Sequence, residues 1–368
     1  MQTSVDHILT THTGSLPRPA GLTPGATDAD VAGAVAEVVQ HQLAVGLDVI
    51  NDGEAGKPDY ATYVVERLSG FGSEADTPFL GRGRADLADF PGYLDRLARE
   101  RSGAIGVQPV CVADVRYTGR DRLDAELGHL RVATAGIDGE VFCTAASPGV
   151  IARFMPNRHY PDEGSYLQAL ADAMKQEYDA IAAAGFVLQL DCPDLTAGWN
   201  ARTGELGAHR SMVSQRLEAL DYATRDIPAA QLRLHLCWGN YEGPHHHDIP
   251  LADIIDLVLA ARPSGVSFEG ANPRHEHEWA IFVDRALPDD TVLIPGVLDS
   301  STNYIEHPEL VAQRIGRYAE VAGRERVIAG TDCGFATFAG MEVVDPGIAW
   351  AKLAALSEGA RLASDRLW

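Results

Sequence analysis

The chain has 368 residues, 46% hydrophobic and 22% charged, with a formal net charge of -22. That composition supplies a sizeable core and excludes a disordered polymer, and the acidity excludes a protein built to grip nucleic acid or an anionic membrane face. Five cysteines (Cys111, Cys143, Cys192, Cys237 and Cys333) are too sparse for a disulfide framework; there is no leader-like start and no apolar run of about 18 residues, so a soluble, cytoplasmic chain is expected.

Taken in chain order, short runs rich in Val, Ile and Leu alternate with longer Ala-rich segments of helical period. Eight strands are predicted, near 8–12, 47–52, 141–146, 186–191, 232–237, 265–270, 292–298 and 326–331. Helices are predicted near 29–45, 166–184, 206–225, 250–261, 307–322 and 346–364, with Pro250 and Pro308 in first-turn positions. Eight strands separated by helices predict an α/β fold of the (β/α)8 barrel type. The rival open sheet lacks a GxGxxG turn after an early strand. The rhythm breaks over 60–140, which holds an acidic, Gly-rich stretch at 71–93, an extra strand or hairpin at 106–117 and a second one near 129–136. We read it as an insertion on a single barrel spanning 1–368.

Polar residues gather where the strands end. The first strand runs into Thr11, His12, Thr13, Gly14 and Ser15; the second into Asn51, Asp52 and Glu54; the fourth into Gln189 and Asp191. The fifth gives His235 and Cys237, the sixth Glu269, the seventh Asp299, and the last leads into Asp332 and Cys333. In a barrel all of these converge on one face, where catalytic groups sit.

His235-x-Cys237 is the sharpest local feature, because residues i and i+2 of a strand point to the same side. With Glu269 and Cys333 they offer the donor types and number of a tetrahedral zinc site. Two thiolates and a carboxylate outweigh the charge of a zinc dication. Such an anionic site suits a substrate thiol held as a thiolate better than it suits making hydroxide from water. Thiol alkylation is therefore the reaction class expected, with a small-molecule thiol and an alkyl donor as partners.

At these residues the chain resembles the cobalamin-independent methionine synthases, specifically their C-terminal catalytic barrel. TTHTGSLPRP, GLDVINDGEAGK, the stretch from Tyr160 to Leu195, LHLCWGN, VSFEGANP and GTDCGF carry the likeness in order. The resemblance implies zinc on His235, Cys237, Glu269 and Cys333, and a thiol substrate such as homocysteine. It further implies substrate contacts from Glu54 and Asp191, with the Thr13–Ser15 backbone at the substrate's acidic end. The fold implied is that of the methionine synthase and uroporphyrinogen decarboxylase barrels. Ser301 stands where that family places a histidine two residues beyond Asp299, and Gly334-Phe335-Ala336-Thr337 replaces basic residues after the last cysteine. Both departures weaken the case for a folate methyl donor.

The chain's length is also similar to that of the epoxyalkane:coenzyme M transferases, which implies epoxide opening by a thiolate as the alternative. A proton for the alkoxide would come from His12, His159 or one of His245, His246 and His247, of which at most one is expected to face the site. His12 and Asp299 are carried as candidate catalytic groups. Arg18 and Arg158 are candidate partners for a sulfonate. Trp238, Tyr241 and Trp279 are expected in the pocket wall or the core, and His275 and His277 at a helix start. A non-catalytic zinc- or thiol-binding barrel and a metal-free decarboxylase are the remaining rivals.

Overall fold

The apolar runs become strands buried on both faces, the condition for a parallel sheet wrapped in helices. A computed structural model describes residues 1–22, 25–78, 85–100, 107–199 and 204–368. Its strands are β1 (Leu9–Thr10), β2 (Leu68–Pro78), β3 (Val107–Tyr117), β4 (Phe142–Ala146), β5 (Val187–Asp191), β6 (Leu232–His235), β7 (Gly265–Phe268), β8 (Val292–Leu298) and β9 (Ile328–Thr331). The helices are α1 (Asp28–Ala44), α2 (Ala85–Ala88), α3 (Pro91–Glu100), α4 (Arg120–Ala133), α5 (Pro148–Phe154), α6 (Glu163–Ala183), α7 (Leu206–Ala223), α8 (Ile255–Ala260), α9 (Pro308–Ala322) and α10 (Pro346–Leu367).

Seven strands form one parallel sheet in the order β1-β9-β8-β7-β6-β5-β4. The gap between its two edges is filled by the predicted second strand. Val49 N–H donates to Thr10 O at 2.9 Å, Ile50 N–H to Glu140 O at 3.2 Å, and Phe142 N–H to Ile50 O at 3.0 Å. Ile50 also bridges Val141 in parallel. These bonds pair both open edges and close the curled sheet into the barrel predicted from the sequence.

Local chemistry sets the helix starts. Thr27 and Asp30 form a reciprocal capping box on α1, Ser147 caps α5 at Val150 N, and Pro308 occupies the first turn of α9. Val311, Ala312, Ile315, Tyr318 and Ala319 then form the buried stripe of α9, spaced for one helical face. The segment after Pro250 is less regular than expected: a 3-10 turn over Leu251–Asp253 precedes the short α8.

Within the 60–140 region, β3 is the extra strand expected at 106–117, and its antiparallel partner β2, running into the acidic, Gly-rich stretch, was not expected; residue 106 and residues 79–84 lie outside the described residues. The second strand expected near 129–136 is instead the end of α4. Leu123, Leu127 and Leu130 recur at helical spacing and are buried, and α4 packs on α1. The β-branched Val132 is exposed, with 78% of its surface open. The ribbon is tied to the barrel side by Cys111 N–H to Pro156 O and by Val115 N–H to the Tyr160 hydroxyl at 2.8 Å.

Candidate metal and substrate site

At the C-terminal mouth of the strands, a cavity of about 500 Å³ brings together Thr13, Ser15, Glu54, Asp191, His235, Cys237 and Cys333. They come from five strand ends or the turns beyond them: Thr13 and Ser15 after β1, Glu54 after the second barrel strand, Asp191 from β5, His235 and Cys237 from the end of β6, and Cys333 after β9. The layer beneath is polar and buried. Arg233 Nε donates to Gln189 Oε1 at 2.7 Å and its Nη2 to His12 O at 2.9 Å, while its guanidinium lies 3.6 Å above the Phe142 ring centre. Gln189 in turn donates to Asp191 Oδ1 at 2.8 Å and to Thr13 O. One buried arginine thus fixes the side chain that orients Asp191 from below.

His235, Cys237 and Cys333 converge: one donor atom from each lies within 4.8 Å of the other two. The two sulfurs are 3.5 Å apart, and both cysteines are reduced. The Cys237 thiol is pushed well up by its contact with Cys333, with burial adding to it. Burial, with Arg233 as a lesser cause, lowers His235 to about 3, so its imidazole is neutral. Both of its ring nitrogens are buried without a hydrogen-bond partner. A neutral imidazole with two buried, unpaired nitrogens beside two thiols has the donor types that fit a soft divalent cation.

Glu269 lies against Cys237, and burial pushes its carboxyl up. Its oxygens are engaged: Oε1 accepts from Trp238 N–H and Oε2 from Asn272 Nδ2, both at 2.8 Å. Asp332, next to Cys333, holds the same loop by accepting from the N–H groups of Gly270, Ala271 and Asn272, each at 2.8 Å. Of the four predicted ligands, three share one point and the fourth borders it.

On the opposite wall, Glu54 sits in the left-handed backbone region at φ 56°, which a non-glycine residue adopts only under constraint. Its Oε1 accepts from the Thr144 hydroxyl at 2.6 Å, and Lys57 Nζ donates to the same hydroxyl's oxygen at 2.9 Å. Burial raises both acids, and Glu54 contributes to raising Asp191 to about 8. Two facing carboxyls that resist joint ionisation are suited to an incoming ammonium.

Other expectations are corrected. His12 does not line the cavity: its Nε2 meets Gln42 Oε1 at 2.8 Å, and burial lowers it to about 3, which leaves no proton to give at neutral pH. Asp299 also lies off the cavity and serves the turn after β8, accepting from Ser301 N–H and from the hydroxyls of Ser301 and Thr302. Arg18 is spent on the carbonyls of Ala336 and Lys57, Arg158 is exposed, and His159 pairs with Asp114 at the surface. Trp238 and Tyr241 line the cavity, whereas Trp279 packs against the core. His275 stands before the 3-10 turn Glu276–Phe282 and stacks on Trp238 at 4.2 Å; burial opposes its charge, but hydrogen bonds to Asp248 and Glu278 raise it to about 10. Sequence reasoning missed Tyr60 and Arg153, which line the cavity from outside any strand end. Tyr60 lies just beyond the second-strand motif, and burial together with Cys237 and Cys333 pushes its hydroxyl well up.

Among the described residues no helix is long and apolar enough to cross a membrane. No protein-family model matches the chain. It is 23% identical over 337 residues to a methionine synthase of Saccharolobus solfataricus, covering 91% of this chain and 84% of that protein. It is 25% identical over 362 residues to the 2-hydroxypropyl-CoM lyase of Xanthobacter autotrophicus, covering 89% and 84%. Its fold superposes on a B12-independent methionine synthase from Shewanella sp. W3-18-1 with a TM-score of 0.74, at 17% identity, over 98% of this chain and 99% of that one. The chain is thus similar in sequence to a methionine synthase and to a 2-hydroxypropyl-CoM lyase, and shares its barrel fold with a B12-independent methionine synthase.

Proposed function

We propose that this protein is a zinc-dependent thiol alkyltransferase that methylates a small thiol, with homocysteine the acceptor that fits best. The observation that carries the reading is the buried, partnerless imidazole of His235 beside the sulfurs of Cys237 and Cys333. These three residues, with Glu269 as fourth donor, would hold the metal. Zinc, when bound, supplies a cation that keeps the substrate sulfur deprotonated at neutral pH.

The chain's own residues do the rest. Glu54 and Asp191 receive the substrate's ammonium, whose charge relieves their mutual repulsion. Thr13 and Ser15 present the first-strand turn to the substrate's carboxylate. Trp238, Tyr60, Phe154 and Phe338 wall the cavity, excluding water and aligning the donor carbon with the sulfur. The alkyl donor therefore enters a largely apolar space. That wall, and the likeness to the 2-hydroxypropyl-CoM lyase, favour a second reading in which a small epoxide is the electrophile. Tyr60, which keeps its proton, is then the group placed to protonate the alkoxide.

The test is direct. Cobalt-substituted protein is titrated with homocysteine and with a sulfonate thiol, and sulfur-to-metal absorption is followed. Growth of that band with homocysteine supports the reading, and an unchanged spectrum with every thiol sinks it. A panel of methylfolate, S-methylmethionine and a short epoxide then names the donor.

A further inference from the structure

We propose that Asp89, His246 and His247 form a second divalent-metal site, one that clips the α2–α3 segment onto the loop after β6 above the cavity. The Nε2 atoms of His246 and His247 lie 3.0 and 2.7 Å from the same oxygen, Asp89 Oδ2. Their donor atoms all fall within 4.8 Å of one another. Two imidazoles and a carboxylate are the donor set of many zinc sites with an open position, and imidazole suits zinc, copper and nickel. The three side chains are between 22% and 37% exposed, so a cation reaches them from solvent without any opening of the fold.

The backbone is arranged to produce this convergence. Adjacent residues in extended chain point to opposite sides, yet the rings of His246 and His247 lie 4.1 Å apart, both turned toward Asp89. The residue before them, His245, adopts φ 53°, a left-handed conformation unusual for a side-chain-bearing residue. It is pinned there by Asp248 Oδ2 at 2.6 Å on Nδ1 and by Tyr241 O at 3.1 Å on Nε2. His246 and His247 are the central residues of a turn closed by Asp248 N–H on His245 O at 3.1 Å, and both imidazoles face Asp89 from it.

The site joins two walls of the cavity. Leu87 and Leu94 of the α2–α3 segment line it on one side, and Trp238, Asn240 and Tyr241 line it on the other. The two pieces already touch through the Tyr241 hydroxyl and His245 N–H on Asp86. A metal at Asp89 would fasten this contact and slow exchange of small molecules with the cavity.

The experiment titrates metal-stripped protein with zinc alone by calorimetry and follows hydrogen exchange in residues 85–100. Wild type is expected to take up about two equivalents, and His246→Ala/His247→Ala about one. A Cys237→Ser/Cys333→Ser variant is expected to keep about one, with exchange in 85–100 slowed severalfold by zinc. Loss of that protection in His246→Ala/His247→Ala, and its weakening in Asp89→Asn, supports the clip. Uptake of about two equivalents by the double-histidine variant, or zinc leaving exchange in 85–100 unchanged in the double-serine variant, overturns it.

Discussion

The two walls of the barrel mouth treat buried polarity in opposite ways. On the β6 and β9 side, His235 offers two ring nitrogens to nothing, and two thiols face each other at 3.5 Å. On the β5 side and around Glu54, each buried acid is answered: Glu54 by Thr144, and Asp191 by Gln189, itself held by Arg233. An unanswered buried polar group costs about 1–3 kcal/mol, a cost that the proposed zinc would offset on the first wall. The second is a finished network of two buried carboxyls that resist joint ionisation, suited to a cationic ligand rather than a metal.

Substitutions on the first wall should have the largest effect. Replacing His235 with Ala, or Cys237 or Cys333 with Ser, is expected to remove bound zinc and lower thiol alkylation by on the order of a thousandfold; metal content and turnover check both. An unaltered zinc content would erase the contrast between the walls. Glu54→Gln should leave zinc in place and raise KM for an amino-acid thiol by roughly tenfold to a hundredfold, the worth of one charge-assisted hydrogen bond. A thiol lacking an amino group should show no such change, which separates substrate binding from general damage.

Glu269→Gln tests the boundary between the walls. Because its oxygens are held by Trp238 and Asn272, zinc affinity should fall by about tenfold, less than for a cysteine change; competition with a chelator measures it. The remaining effect is on pH dependence. Asp191 keeps its proton up to about pH 8, against 3.8 for an exposed carboxyl. Between those values the folded chain binds more protons than the unfolded one. Stability of the ligand-free protein therefore falls as pH rises, by at most about 1.4 kcal/mol per pH unit. Asp191→Asn should flatten that decline in a series of thermal melts, and an identical slope would remove Asp191 as its source.

Much of the barrel was legible because its signals are local. Runs such as FVLQLD and LRLHLC are buried on both faces, so their composition alone marks them as interior strands. The i, i+2 spacing of His235 and Cys237 suggested a common side, and both reach the cavity although β6 itself ends at His235. The second strand was legible in the same way, although it closes the barrel through only a few backbone hydrogen bonds. The stretch at 129–136 misled, because Val132 and Thr134 look like strand residues, whereas leucines further back commit the segment to a helix against α1.

Residue type and spacing, then, determined the eight barrel strands, six of the helices and a short roster of donors, because periodicity and side-chain chemistry need no distant partner. Only the folded chain decided which of those donors meet. His12 and Asp299 follow strands as plausibly as Asp191 does, yet one is buried against Gln42 and the other caps its own turn. Tyr60, Arg153 and the convergence on Asp89 belong to contacts between segments far apart in sequence. Such contacts are set by how helices and loops pack around the closed sheet, a geometry that no local pattern encodes.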